Sequence, residues 1–193
     1  MSQFEWKAGI EQYIDALASG NATPGGGSAA AAAGAFGCAL IMMAISTTLK
    51  LKATPEDVKP ALNNVLGEMN ACLGTFKNLV SEDSVAYKKY LDTKKAAKAD
   101  PSISMAPALK EIAVIPVNCA LEVLKTLKLS DNIKSGISPI IMSDLNSGVH
   151  MLNACLKCCV ENMKINLPYV KDAAIVSLLE QTIDQSVKTL EAA

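Results

Sequence analysis

Apolar residues recur at helical spacing along almost the whole chain, and the strict alternation of a half-buried strand is absent. The first periodic segment runs from Phe4 to Ala18, with Phe4, Ile10, Tyr13, Ile14 and Leu17 on one side. Ser19-Gly20-Asn21-Ala22-Thr23-Pro24 breaks it. A second helix is predicted from Ser28 to about Lys50. A third starts at Pro55 and runs to about Ser81, with Glu56 and Asp57 early, as the helix dipole prefers. Ser81-Glu82-Asp83 then leads into a lysine-rich stretch, and Pro101 to Pro107 reads as a loop. Leu109 to Leu127 is helical, interrupted or started afresh near Pro116, and a loop follows from Lys128 to Pro139. Ser143 to Leu167 is a long helix ended by Pro168, and Ala173 to Leu190 closes the chain. The pattern predicts an all-α bundle of about six to eight helices in a single domain over 1–193, without linker or repeat.

The second helix is unusual. Ala29 to Ala35 carries almost no side-chain bulk, and Gly34 and Gly37 lie one turn apart. Such a helix lets neighbouring backbones come close, which suits the centre of a bundle. On length alone the apolar run between Ser28 and Ile45 could cross a membrane. Its small residues and the lack of a flanking aromatic belt predict a buried core helix instead, with no membrane contact. The start, MSQFEWKAGIEQ, lacks a basic segment followed by an apolar core, so a cytoplasmic location is expected.

Composition narrows the chemistry. Half of the 193 residues are apolar and 19% are charged, which favours a packed chain over a disordered one. The net charge of -1 gives no overall basic field for nucleic acid. All 18 positive residues are lysine, so anion contacts fall to ammonium groups, backbone N–H and hydroxyls rather than guanidinium forks. The six cysteines, Cys38, Cys72, Cys119, Cys155, Cys158 and Cys159, fall in apolar stretches of helix. Cys155-Leu-Lys-Cys158 has a metal or redox spacing, but there is no second such pair and His150 is the only histidine. Small buried thiols are expected, and no metal.

Gly25-Gly26-Gly27-Ser28 stands directly before the second helix. Unpaired N–H groups at a helix start, reached through a glycine loop, can hold a carboxylate or phosphate. A tight turn with Ser28 as N-cap explains the same residues without a ligand. No Gly-Lys-Ser/Thr follows, so this is not a nucleotide-triphosphate loop.

The stretch TPGGGSAAAAAGAFGCAL closely resembles the opening motif of the formiminotetrahydrofolate cyclodeaminase and methenyltetrahydrofolate cyclohydrolase family. LVSEDSVAY resembles its Asp-x-x-Ala-Phe/Tyr segment, matching Asp83, Ala86 and Tyr87. VIPVNCALEVL resembles its Val-Pro-Leu helix, with Pro116 matching. SDLNSGVHMLNACLKCCVENMKINLPYVKD resembles its Ser-Asp helix and Asn-Leu ending, matching Ser143, Asp144, Asn162, Asn166 and Asp172. The resemblance implies an all-helical, cytoplasmic, homodimeric enzyme with a tetrahydrofolate derivative as substrate, no metal, and a formiminotransferase as a separate partner.

Both family reactions pass through a tetrahedral carbon between two folate nitrogens. They need a group that moves protons and a negative charge near the methenyl cation, and a carboxylate can do both. Asp144, at an expected helix start beside Ser143, is the first candidate and Asp83 the second; either could instead be a helix cap. Lys50 and Lys52, just after the apolar helix, and Lys98, which matches a family lysine, are expected at the folate. Lys88, Lys89, Lys94 and Lys95 could attract its polyglutamate tail or form a solvated face. Asn162 and Asn166 lie one turn apart on one helix face and could bond the pterin edge or satisfy buried backbone. Leu51 stands where the family often has a second basic residue, the segment after Tyr87 is shortened, and SGISPIIMSD lacks the family's asparagines. These departures motivate a second reading, a family member without catalysis that binds folate or acts as a scaffold.

Overall fold

The computed structural model describes residues 9–192. They form six α-helices: α1 (Ile10–Ala18), α2 (Gly26–Lys50), α3 (Lys59–Ala99), α4 (Ala106–Ile133), α5 (Met142–Asn166) and α6 (Ala173–Glu191). Short 3₁₀ turns lie at Lys134–Gly136, Pro139–Ile141 and Leu167–Tyr169, and no strand occurs among the described residues. The expected all-α bundle is therefore what the chain forms. Phe4 and the rest of the first helix before Gly9 fall outside the described residues.

α2 lies at the centre, between α3 and α5, and runs antiparallel to both. Near its start Ser28 meets Val80 and Asp83 of α3; further along, Cys38 meets Met69. Its far end meets the turn before α5, where Ser138 N–H donates to Thr48 Oγ1 at 3.2 Å. The thinness of α2 is put to use against both neighbours. A Cβ on Gly34 would stand 2.7 Å from the Phe76 ring and 3.2 Å from Cys155 Sγ. Gly37 and Gly148 of α5 touch backbone to backbone, each leaving 2.7 Å between a would-be Cβ and the other's carbonyl oxygen. Ile41, Ile45, Leu62, Met69, Phe76, Val117, Leu152 and Leu156 fill one continuous core around these crossings. Gly26–Lys50 is long and apolar enough to cross a membrane, and half of its most apolar stretch is buried inside the bundle.

Two helices outrun the sequence expectation. α3 does not stop near Ser81 but continues unbroken to Ala99. Ser81 and Glu82 face solvent while Ala86 is buried, so the apolar stripe carries on past the polar triplet. α4 runs straight through Pro116 to Ile133 and absorbs the first half of the expected loop at 128–139, because Leu129, Ser130 and Ile133 keep its inner face buried. Proline inside a helix leaves the carbonyl four residues back without its donor. That carbonyl belongs to Ile112, and Asn166 Nδ2 at the end of α5 donates to it at 3.2 Å.

Candidate functional site

The glycine loop opens a cleft where α2 begins. Gly25 is extended (φ -130, ψ -160) and α2 starts at Gly26, two residues earlier than expected. Ser28 is therefore inside the first turn and is not the N-cap. It is fully buried, and its polar atoms are all engaged within the protein. The hydroxyl donates to the Val80 carbonyl at 2.8 Å and accepts from the Tyr13 hydroxyl at 2.8 Å. The N–H donates to Asp83 Oδ2 at 2.9 Å. The anion at this helix start is thus the chain's own Asp83, reaching across from the middle of α3.

Asp83 sits against the loop. A Cβ on Gly27 would lie 2.0 Å from Asp83 Oδ1 and 2.6 Å from its Cγ, so only glycine fits. At Gly25 and Gly26 the nearest atoms would be 3.8 Å and 3.6 Å away, ordinary contact distances. One of the three glycines therefore admits the carboxylate, and the other two line open space. Burial pushes the Asp83 carboxyl up; the Ser28 N–H opposes this, and Cys119 adds to it.

The cleft holds about 280 Å³ and is lined by Gly25, Gly26, Gly27, Asp83, Tyr87, Ile112, Ile115, Pro116, Asn162 and Asn166, with Ala22 and Ile165 at its margin. Asn162 Nδ2 donates to the Cys158 carbonyl at 3.0 Å, and its Oδ1 faces Gly26. Asn166 is held by Ile112, so both asparagines anchor backbone and also line the cleft. Four separate stretches of sequence meet here: the glycine loop, Asp83 with Tyr87, Pro116, and the asparagine pair.

The remaining candidates lie elsewhere on the chain. Ser143 and Asp144 occupy the first turn of α5, whereas Asn162 is near its end, roughly 27 Å along the axis. Lys50 ends α2, roughly 36 Å from Gly26, and Lys52 follows it. Lys98 is exposed near the end of α3, roughly 22 Å beyond Asp83. Within one chain the structure does not bring Asp144, Ser143, Lys50, Lys52 or Lys98 to the cleft. Lys88, Lys89, Lys94 and Lys95 are exposed; Lys89 pairs with Glu111, and Lys94 stands 5.6 Å from the centre of the Tyr90 ring. His150 lines a larger groove of about 1000 Å³ between α4, α5 and α6, which mixes Asp131 and Asp184 with Lys134 and Lys188.

Sequence reasoning missed Tyr13, whose hydroxyl steadies Ser28, and Ile115 in the cleft wall. Five of the six cysteines are buried as expected. Cys158 is exposed, and the thiols that come together are Cys119, Cys155 and Cys159, all buried. Cys155 and Cys159, one turn apart on α5, face Cys119 on α4. Hydrogen bonds from these two hold the Cys119 thiol down, and their own thiols are pushed up in return.

These features define an all-helical bundle whose small-residue central helix begins at a cleft holding a half-buried carboxylate. The chain belongs to the formiminotransferase-cyclodeaminase family, which it matches over residues 9–185. It is similar to the methenyltetrahydrofolate cyclohydrolase of Methylorubrum extorquens, with 29% identity over 174 residues, 86% of this chain and 82% of that one. It is also similar to the formimidoyltransferase-cyclodeaminase of Gallus gallus, with 28% identity over 172 residues, but spans only 30% of that protein's length. Its fold matches the crystal structure of formiminotetrahydrofolate cyclodeaminase from Thermotoga maritima with a TM-score of 0.85, covering 96% of this chain and 91% of that one at 22% identity.

Proposed function

We propose that this chain is a folate one-carbon enzyme that hydrolyses or forms 5,10-methenyltetrahydrofolate, with Asp83 as its proton-transfer group. The observation that carries this reading is the Asp83 carboxylate, half-buried in the cleft and fixed through Oδ2 by the Ser28 N–H. In cyclohydrolysis, water adds to the methenyl carbon and Asp83 takes the water proton as the carbon–oxygen bond forms. The tetrahedral carbon then collapses, one carbon–nitrogen bond breaks, and the proton goes to the leaving nitrogen. In cyclodeamination one folate nitrogen attacks the formimino carbon, Asp83 takes the proton that this nitrogen loses, and gives it to the departing ammonia. In both, an ionised Asp83 offsets the charge of the methenyl cation in a half-buried site. Burial raises the acid toward the pH at which it must exchange protons.

The cleft of about 280 Å³ suits a ring system and its one-carbon bridge rather than a whole folate. Asn162 and Asn166 border it on one side and suit the pterin edge.

The far-end residues join this reading through a second copy of the chain. α2 is apolar on all sides, yet Phe36 is 47% exposed and Met43 40% exposed, with Ala39 exposed between them. Phe36 and Ala39 lie near the middle of α2. A two-fold axis there would set the far end of one α2 against the glycine loop of the other. Lys50 of the partner subunit would then approach the cleft, giving a homodimer with a shared site.

The test is the decay of 5,10-methenyltetrahydrofolate absorbance, corrected for spontaneous hydrolysis. The parent should accelerate it, with activity falling as pH drops and Asp83 takes up its proton. Asp83→Asn should slow turnover by about 100-fold or more. An unchanged rate in that variant removes Asp83 from the chemistry. A parent no faster than buffer overturns the enzyme reading, and retained folate binding would then point to a scaffold. A parallel reaction from formiminotetrahydrofolate, read as growth of the same absorbance, separates deaminase from hydrolase.

A further inference from the structure

Beneath the cleft lies a second cluster that the folate chemistry does not use. Cys119 of α4 and Cys155 and Cys159 of α5 place their sulfur atoms within 4.8 Å of one another, with 3.6 Å between Cys119 and Cys155. All three are at most 3% exposed. An ion at the centre of such a triangle would stand roughly 2.1–2.8 Å from each sulfur, a span that includes the metal–thiolate bond of about 2.3 Å. No other histidine, cysteine or carboxylate among the described residues joins the group.

Three converging thiols in a closed apolar layer are an uncommon way to fill a core. Two valines and a leucine would fill it with no polar hydrogen to place. The donor set selects the ion. It is all sulfur, which favours soft ions over magnesium, calcium or manganese. It has three donors, whereas structural zinc takes four. A d¹⁰ monovalent ion accepts two or three thiolates and needs no water, which suits a site sealed from solvent.

We propose that Cys119, Cys155 and Cys159 form a buried binding site for a thiophilic monovalent ion, Cu(I), that ties α4 to α5 beneath the cleft. On binding, thiol protons leave to solvent and each sulfur donates an electron pair to the ion; no oxidation is involved. The cluster lies one turn along α4 from Pro116 and one turn before Asn162 on α5, so the ion would brace the two helices that carry the cleft's inner wall. This site does not depend on the folate reading.

The test uses the full chain carrying Cys158→Ala, which removes the exposed thiol. It is titrated without oxygen against Cu(I) held by bicinchoninate. The expected result is uptake of about one Cu(I) per chain, an all-sulfur coordination shell by X-ray absorption, and a higher thermal midpoint, because an ion that binds the folded state more tightly than the unfolded cysteines stabilises the fold. Cys119→Ser or Cys159→Ser in that background should weaken uptake at least tenfold, while Cys38→Ser, a buried thiol outside the cluster, should leave it unchanged. No uptake, equal uptake by the Cys119→Ser chain, or a shell with nitrogen or oxygen ligands overturns the proposal. A four-coordinate shell with tighter uptake of Zn(II) overturns the choice of ion. X-ray absorption on the Cys158→Ala chain decides the matter even if a serine variant fails to fold.

Discussion

Gly27 and Asp83 are a matched pair, 56 positions apart in sequence, and neither can change without the other noticing. Gly27→Ala drives a methyl into the carboxylate, 2.0 Å from Oδ1, and Asp83 must leave its place or the start of α2 must shift. The expected cost is about 1–3 kcal/mol, as for other forced insertions into filled space. Gly26→Ala meets only the Asn162 amide at 3.6 Å and should fold as well as the parent. Thermal midpoints of the two variants, measured side by side, test this; equal loss in both would show that the loop needs glycine for a reason other than Asp83. The sequence made Asp83 a candidate but not in this role. Helix capping was the competing explanation, and both descriptions fit: the residue caps a helix, but one on the other side of the cleft. A cap supplied from 55 residues away leaves no local pattern to read. Ser28 misled in the opposite way. Its type and place fit an N-cap, but the helix starts at Gly26 and Tyr13 and Val80 hold the hydroxyl.

Among elements, helix type and order were legible because the apolar stripe is long and regular. Boundaries failed where a polar triplet or a proline interrupted a stripe that tertiary contacts then restored. Pro116 shows how. Its missing N–H orphans the Ile112 carbonyl, and Asn166 repairs it. The two residues belong to motifs 50 positions apart, and only the fold shows that one serves the other. A double-mutant cycle makes this measurable. Asn166→Ala should cost about 1 kcal/mol, because a half-buried carbonyl loses its partner. In a Pro116→Ala background the new alanine N–H can bond Ile112 within the helix, and Asn166→Ala should then cost close to nothing. A coupling of about 1 kcal/mol in urea denaturation is expected; additive losses would mean that Asn166 acts on something other than that carbonyl.

At the scale of the whole molecule the candidate residues divide between the two ends of α2. The cleft gathers Gly25, Gly26, Gly27, Asp83, Asn162 and Asn166. Asp144, Lys50 and Lys52 stand at the opposite end, and the proposed antiparallel pair of α2 helices would bring each end to the other's partner. Phe36→Lys places a charge in the middle of that face. It should convert a particle of twice the chain mass into one of single mass in sedimentation, and lower turnover at least tenfold while helical content stays constant. A chain that is already single in the parent would end the shared-site idea. This division could not be read from one sequence, since sequence order says which residues are near in a chain and nothing of which copy supplies them.

The contact of Gly37 with Gly148 has a mechanical consequence. It is the one place described where α2 and α5 meet main chain to main chain, and it stands roughly 16 Å along α2 from Gly26. The two helices also pack further toward the rim, at Gly34 with Cys155 and at Gly26 with Asn162, so this contact sets how far apart they stand. A side chain at Gly37 or Gly148 would hold α5 off α2, and the gap at the rim, where Asn162 faces Gly26, would widen although neither glycine touches it.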